Sequence, residues 1–142
     1  MSSLETAIAL ALKVHAGQFD KAGLPYILHP LRIMGKFNKE HEKIVSVLHD
    51  VVEDCSVTLE HLAQLGFSEE IIYAIDCLTK QDGEPYMDFI IRLANNKLAQ
   101  TVKIEDIKDN LDITRLSISL NEKDIARIKK YHEAYLYLTK HA

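Results

Sequence analysis

The sequence has little of what would point to a secreted, membrane-bound or nucleic-acid-binding protein. Its two cysteines, Cys55 and Cys77, form neither a CxxC pair nor a metal-ligand spacing, so both are interpreted as small thiols in a reducing compartment. No apolar run approaches the ~20 residues that span a bilayer, and no basic segment opens the chain as a signal peptide would require. The formal net charge of -4 argues against nucleic acids and anionic membranes as partners. We therefore expect a soluble, cytoplasmic protein.

What the sequence does contain favours a helical globular domain. Apolar residues make up 47% of its 142 residues, which suffices for a core without disulfides. These residues recur at intervals of three and four, and no segment sustains the alternation typical of a strand. No repeat or linker divides the chain. The patterns predict one all-α domain over residues 1–142, a compact bundle of seven or so helices.

Caps, breakers and apolar stripes set the predicted helix bounds. Ser3 and Thr58 are candidate N-caps, and Gly17 is a candidate stop signal for the first helix. Pro30 suits the first turn of the second helix and should keep His29 extended, aiming its ring from a loop. Helices are expected between Ser3 and Gly17 and at about 31–37, 43–54, 58–65, 68–79, 86–94, 98–111 and 121–139.

Four ionisable side chains crowd into six residues at the end of the third predicted helix. Residues 49–54 read His-Asp-Val-Val-Glu-Asp. If the helix continues, Glu53 lies one turn beyond His49, and Asp54 lies one turn beyond Asp50. Like charges this close repel unless a cation or a substrate proton lies among them. The alternative is a solvated helix end whose acids cluster without a function.

The seventh predicted helix has polar residues on the face that should be buried. This face has an acid and an amide at positions where a hydrophobic core would have leucine or valine. The stripe consists of Ala99, Val102, Asp106, Asn110 and Ile113. Because a buried carboxylate needs a partner charge or a metal ion, Asp106 is a candidate functional residue.

Two imidazoles and two carboxylates thus come from three segments: His29, His49, Asp50 and Asp106. Mixed nitrogen and oxygen ligation suits Mn, Fe, Co or Zn better than Ca. Four protein ligands on an octahedral ion leave two positions for water and a substrate oxygen, and such an ion neutralises phosphate charge. Hydrolysis of a phosphate ester is the expected chemistry.

At these residues the chain resembles the HD-domain phosphohydrolases, whose signature is H…HD…D. The closer resemblance is to the hydrolase domain of RelA/SpoT-type stringent-response enzymes and to the small alarmone hydrolases. The matching segments follow the family's order from residue 16 to residue 110. They are Ala16-Gly17-Gln18, Gly23-x-Pro25-Tyr26-Ile27-x-His29-Pro30, Leu48-His49-Asp50-Val51-Val52-Glu53-Asp54, Leu78-Thr79-Lys80 and Val102-Lys103-Ile104-x-Asp106-x3-Asn110.

This resemblance implies a Mn²⁺-dependent pyrophosphohydrolase that removes the 3′-diphosphate from (p)ppGpp. The implied ligands of one Mn²⁺ ion are His29, His49, Asp50 and Asp106. Glu53 and Asp54 match the family's acidic pair, which orients and activates the attacking water. Lys21 matches a phosphate-contacting lysine and Asn110 a nucleotide-contacting amide. Lys103 is a further candidate phosphate contact because it lies in the segment that contains Asp106.

At two positions the chain departs from the family's pattern. Alarmone hydrolases usually carry arginine where this chain has Asp20 and Asp112. Replacing a cation by an anion near a polyanionic substrate should weaken binding. Two alternatives therefore stay open: the same metal site acting on another nucleotide or phosphorylated cofactor, and a non-catalytic nucleotide-sensing domain. A small nucleotide is the expected partner in each case, and homo-oligomer formation is left open.

Overall fold

The computed structural model describes residues 3–53 and 56–142, and every regular element in these ranges is helical. This confirms the predicted all-α class. An antiparallel bridge between Phe19 and Pro25 lies in the loop after the first helix. No helix in the described ranges is long and apolar enough to cross a membrane. The helices are α1 (Leu4–Val14), α2 (Leu28–Met34), α3 (Glu40–Leu48), α4 (Leu59–Gln64), α5 (Glu69–Cys77), α6 (Tyr86–Leu93), α7 (Lys97–Leu111) and α8 (Glu122–Lys140), with a 3₁₀ turn at Ile113–Arg115.

Short polar side chains begin several of these helices. Ser3 accepts a hydrogen bond from the Thr6 N–H, and Thr58 accepts one from the His61 N–H, so both predicted N-caps are confirmed. Asn121 and Asp124 exchange side-chain-to-backbone hydrogen bonds at the start of α8. Such reciprocal bonds satisfy N–H groups that have no partner within a helix.

Helix α3 lies at the centre of the fold. Every residue from Ile44 to Leu48 is buried, and α3 packs against α1, α2, α5 and α7. Because α3 is enclosed on several sides, the residues that follow its last turn emerge inside the protein rather than at its surface. His49 is the first of them, and it is buried.

The third helix ends at Leu48, so its predicted continuation to Asp54 is wrong. The His49 ring Nδ1 hydrogen-bonds the Ser46 carbonyl at 2.6 Å, the acceptor that another helical residue would have used. The negative end of a helix also disfavours a run of acids. Residues 49–53 form turns instead, and Glu53 is not stacked over His49 on a helix. Asp54 lies outside the described residues.

The second helix begins three residues earlier than predicted, and His29 is helical rather than extended. The His29 N–H donates to the Tyr26 carbonyl at 2.9 Å as the chain enters α2. Pro30 is the third residue of the helix, where the missing N–H would have had no acceptor within the helix. The histidine is therefore carried by a helix turn, which fixes its direction more firmly than a loop would.

Helix α7 contains the predicted polar stripe in part. Ala99, Val102 and Asp106 are buried as expected. Ile113 lies beyond the end of the helix and is 40% exposed, so its predicted place on the inner face is wrong. The helix ends at Leu111, and the next residue, Asp112, has a non-helical backbone with φ -79° and ψ 89°.

Candidate active site

Three of the predicted metal ligands converge where α2 begins and α3 ends. One ligand atom from each of His29, His49 and Asp50 lies within 4.8 Å of the other two. Both imidazoles are buried, whereas Asp50 is partly exposed. Two nitrogens and a carboxylate oxygen in one place can hold a transition-metal ion.

Asp106 joins this group from α7. Its Oδ1 lies 2.8 Å from the His29 Nε2 and 3.5 Å from the His49 Nε2. The same oxygen accepts a hydrogen bond from the Asn110 side chain at 3.2 Å. Its Oδ2 accepts one from the Lys103 ammonium at 2.8 Å. The structure therefore brings all four predicted ligands to one site and gives the buried carboxylate of Asp106 a cation of its own.

The donor set fits a metal ion because both rings are anchored through their Nδ1 atoms. His49 Nδ1 bonds the Ser46 carbonyl, and His29 Nδ1 lies 2.6 Å from an Asp109 carboxylate oxygen. Metal-binding histidines typically have such a second contact, which fixes the ring and leaves Nε2 for the ion. The His49 Nε2 is buried without a well-aligned hydrogen bond among the described residues, although Asp50 Oδ2 lies 3.0 Å away. A buried nitrogen left in this position suits a metal ion.

The acids of the cluster are ionised at neutral pH. Burial alone would raise the pKa of Asp50, but the charge of His49 and a hydrogen bond with it lower that pKa to about 2. Burial would also raise the pKa of Asp106, yet Lys103 and His49 hold it well below its usual value. The carboxylates are thus in the form that a metal ligand requires, and an ion at this site would displace the proton that gives His49 its charge.

Sequence reasoning missed Asp109, which supports the site from α7. Besides its contact with His29, Asp109 accepts two hydrogen bonds from Arg32, each at 2.9 Å. The hydrogen bond with His29 and those from Arg32 outweigh the effect of burial and lower the pKa of Asp109. Spacing could have indicated both residues, because Asp109 follows Asp106 by three positions and Arg32 follows His29 by three, each pair on one helix face.

Tyr26, in the segment that ends at His29-Pro30, also supports the site, a role that its motif does not indicate. Its hydroxyl donates a hydrogen bond to Asp50 Oδ2. The ring packs beside the rings of His15 and His29, with centroids 4.9 and 5.6 Å away. Burial and the neighbouring Asp50 raise the pKa of Tyr26, so the phenol keeps its proton and remains a donor. Tyr26 therefore holds one carboxylate of the cluster in position.

A cavity of about 710 Å³ opens beside the cluster. Its volume falls in the range of roughly 300–1,000 Å³ that is usual for small-molecule sites. Predicted substrate contacts Lys21, Lys103 and Asn110 all line it. Lys21 is exposed, whereas Lys103 is largely enclosed and bonded to Asp106.

Glu53 also lines the cavity, although it is not on a helix. One of its carboxylate oxygens accepts a hydrogen bond from the Lys80 backbone N–H at 3.2 Å. Burial, followed by the charge of Asp50, raises the pKa of Glu53 above its usual value. The turn after α3 therefore places a carboxylate of increased basicity at the cavity wall.

The two acids that replace the family's arginines line the cavity but bind their own loops. Asp20 accepts hydrogen bonds from the N–H groups of Ala22 and Leu24, both at 2.9 Å. Asp112 accepts one from the Thr114 N–H at 3.2 Å and one from the Arg115 guanidinium at 3.1 Å. Arg115 is itself part of the cavity wall, at a position that no motif indicated.

Comparison with known proteins gives relatives in one family. No family model matches the chain. It is 31% identical over 143 residues to a GTP pyrophosphokinase of Myxococcus xanthus, covering 88% of this chain and 18% of that protein. It is 27% identical over 136 residues to the guanosine-3′,5′-bis(diphosphate) 3′-pyrophosphohydrolase of Aquifex aeolicus, covering 87% of this chain and 19% of that protein. The chain thus spans less than a fifth of the length of either relative.

A solved structure shares the fold over nearly the whole chain. It belongs to a protein described as a metazoan ortholog of SpoT that hydrolyzes ppGpp, and it superimposes with a TM-score of 0.80. The match covers 97% of this chain and 85% of that one at 19% sequence identity, which establishes the common fold. The sequence relatives, together with this common fold, confirm the resemblance seen in the sequence: the chain is an HD-type domain related to the hydrolase domain of the RelA/SpoT family.

Proposed function

We propose that this chain is a metal-dependent hydrolase that removes pyrophosphate from the 3′ position of guanosine 3′,5′-bis(diphosphate). The observation that carries the proposal is the cluster formed by the buried His29, His49 and Asp106 with the partly exposed Asp50, beside a cavity of about 710 Å³. The relative from Aquifex aeolicus bears the name of this activity. An exposed lysine, an amide and a carboxylate of raised pKa on the cavity wall suit a phosphorylated substrate.

The ion would be held by the two imidazoles and by the carboxylates of Asp50 and Asp106. Mn²⁺ is our choice among the transition metals that accept mixed nitrogen and oxygen ligands. When bound, a divalent ion neutralises phosphate charge and makes the attacking water more acidic. Tyr26 and Asp109 would keep Asp50 and His29 in the orientation that binding requires.

Glu53 is the proposed general base. Its raised pKa brings its basicity closer to what proton abstraction near neutral pH requires. The oxygen of the attacking water bonds to the phosphorus nearest the ribose, and Glu53 takes a proton from this water. The bond between that phosphorus and the 3′ oxygen breaks. The 3′ oxygen takes up a proton from solvent to become a hydroxyl, and Glu53 releases its proton to solvent. The products are guanosine 5′-diphosphate and pyrophosphate. Asp54, outside the described residues, is proposed as the second acid that orients the water.

Recognition is assigned to Lys21, Lys103 and Asn110. Lys21 is exposed at the cavity wall and can approach a phosphate oxygen. The ammonium group of Lys103 has three N–H donors. One of them bonds Asp106, so two remain for phosphate. The Asn110 amide bonds Asp106 and would contact the nucleotide from the same helix face.

A second candidate substrate class follows from Asp20 and Asp112. Both carboxylates line the cavity, where the resemblance leads one to expect arginines. A less highly charged nucleotide or a phosphorylated dinucleotide cofactor would suffer less repulsion from them.

A substrate panel tests the proposal. The Mn²⁺-loaded protein is incubated with guanosine 3′,5′-bis(diphosphate), a nucleoside monophosphate and a phosphorylated dinucleotide cofactor, and the products are separated by anion-exchange chromatography. We expect equal amounts of guanosine 5′-diphosphate and pyrophosphate from the first substrate and none from Asp106→Asn. Faster turnover of another member would favour the second class. No turnover of any member by metal-replete protein would contradict an enzymatic role.

A further inference from the structure

The cations of the cavity wall divide into paired and unpaired groups. Lys21, Lys80 and Lys130 have no carboxylate within ion-pair distance among residues 3–53 and 56–142. The other four are each paired with an aspartate: Arg32 with Asp109, Lys103 with Asp106, Arg115 with Asp112 and Arg127 with Asp124. The unpaired lysines can attract a ligand's negative charge without first leaving a partner in the protein.

Lys130 is held by aromatic rings instead of an acid. Its ammonium nitrogen lies 4.5 Å from the centroid of Tyr86 and 5.3 Å from that of Tyr131. Aromatic faces attract an ammonium group but leave its charge in place. The Tyr86 hydroxyl is buried and has no hydrogen-bond partner in the described part of the chain. A charge and a phenolic donor therefore lie together without an acceptor.

Other cations surround Lys130 and connect it to the metal cluster. Burial, then Lys103, Arg127 and Lys80, lower the pKa of Lys130. Lys103 is bonded at 2.8 Å to Asp106, one of the proposed metal ligands. Like charges collected at the edge of a cavity repel one another, and an anion bound between them relieves that repulsion. The cluster therefore favours a group of high negative charge close to the metal site.

We propose that Lys130, together with the Tyr86 hydroxyl, binds the pyrophosphate group of the substrate and selects diphosphates over monophosphates. That this group belongs to a nucleotide rests on the proposed function. Sequence reasoning gave the phosphate contacts to Lys21 and Lys103, whereas Lys130 lies in α8, outside every motif of the resemblance. The geometry thus adds a wall of the site that the motifs do not contain.

Calorimetric titration of Mn²⁺-loaded protein with inorganic pyrophosphate at low ionic strength tests this site without requiring turnover. We expect Lys130→Met to raise the Kd about tenfold, or about 1.4 kcal/mol, because a charged hydrogen bond is lost. Lys129→Met removes the same charge from the neighbouring, exposed position of α8, which does not line the cavity, and should leave the Kd unchanged. Tyr86→Phe removes only the hydroxyl and should have a smaller effect. Lys130→Arg should retain binding.

Three outcomes would overturn the proposal. The first is that Lys130→Met binds pyrophosphate as tightly as the wild type. The second is that Lys129→Met weakens pyrophosphate binding as much as Lys130→Met does, which would attribute the loss to surface charge in general. Lys130→Met could also weaken orthophosphate as much as pyrophosphate, which would remove the selectivity for diphosphates. A wild type that binds pyrophosphate through Lys130 but leaves guanosine 3′,5′-bis(diphosphate) intact would contradict the proposed function and keep the site.

Discussion

The two sides of the cavity are built differently. On the metal side, His29, His49 and Asp106 are almost fully buried, with 4%, 2% and 3% of their surface exposed. Each contacts an opposite charge or a backbone acceptor. On the facing side, Lys21 and Lys130 are exposed and have no carboxylate partner within the described ranges. One side is assembled by contacts within the protein, and the other presents positive charge that a ligand can neutralise.

The helices explain this difference. The metal side is carried by the ends of α2 and α3 and by the middle of α7, which pack against one another in the core. The facing side is carried by the loop before α2 and by the residues of α8 that line the cavity. Because packing immobilises the first set, its geometry can be held to the tolerance that metal binding and catalysis demand. The second set only has to supply positive charge.

Removing a metal ligand should have the largest effect, because it abolishes metal binding on the metal side of the cavity. We expect His49→Ala and Asp106→Ala to lose more than about 100-fold in metal affinity, since even supporting contacts are worth about 10–100-fold. Hydrolysis should disappear with the ion. Elemental analysis of protein purified without chelator measures the metal content, and His61→Ala, in the exposed part of α4, is the control. Equal metal in the wild type and both variants would exclude this site.

Glu53 should separate catalysis from metal binding. Glu53→Gln keeps the size of the side chain and removes its charge, so the fold and the ion should survive. The turnover rate should fall roughly 10²–10⁴-fold, the usual contribution of general-base catalysis. Asp54→Asn is expected to act in the same direction. The exposed Glu60→Gln serves as the control. Near-wild-type turnover in both site variants with metal bound would mean that the ion alone activates the water.

Local signals explain what could be predicted about the fold and the cluster. Helical spacing and N-caps depend on residues that are close in sequence. The all-α class and the N-cap roles of Ser3 and Thr58 could therefore be predicted. The meeting of His29, His49, Asp50 and Asp106 was expected from residue types and motif order. The C-terminal end of α3 could not be predicted, because it depends on a hydrogen bond between the His49 ring and the Ser46 carbonyl. The spacing of apolar residues does not encode such a side-chain contact.

Tertiary packing explains what could not be predicted. Asp109 and Arg32 each lie three residues beyond a predicted ligand, so helix geometry could have indicated their direction but not their contact with each other. Lys130 faces the cavity only because α8 packs against α6 and α7. Nothing in the residues around Lys130 distinguishes it from the exposed Lys129.

Asp109→Asn tests whether the order on the metal side depends on its supporting contacts. The amide can still meet His29 but no longer supplies a negative charge, so metal affinity should fall about 10–100-fold. Competition with a chromogenic chelator measures this without turnover. Arg32→Gln removes the ion pair with Asp109 and spares the contact with His29, so its effect should be smaller. Asp88→Asn, an exposed change in α6, is the control. Unaltered metal affinity in Asp109→Asn would make the contact purely structural.

The smallest expected effect is that of Lys21→Met, on the facing side. Lys21 is exposed and solvated, and an ion pair with a phosphate there is worth about 0.2–1 kcal/mol, comparable to a surface salt bridge. The KM should therefore rise by a factor of about 1.4 to 5 while kcat stays the same, since the contact is equally present in the ground state and the transition state. Lys13→Met, in the exposed last turn of α1, controls for the loss of net charge. Lys103→Met should differ from both, because it leaves the buried Asp106 carboxylate without its cation and so disturbs the metal side as well. If Lys21→Met lowered kcat instead of raising KM, Lys21 would belong to the assembled side of the cavity, and the division between the two sides would have to be redrawn.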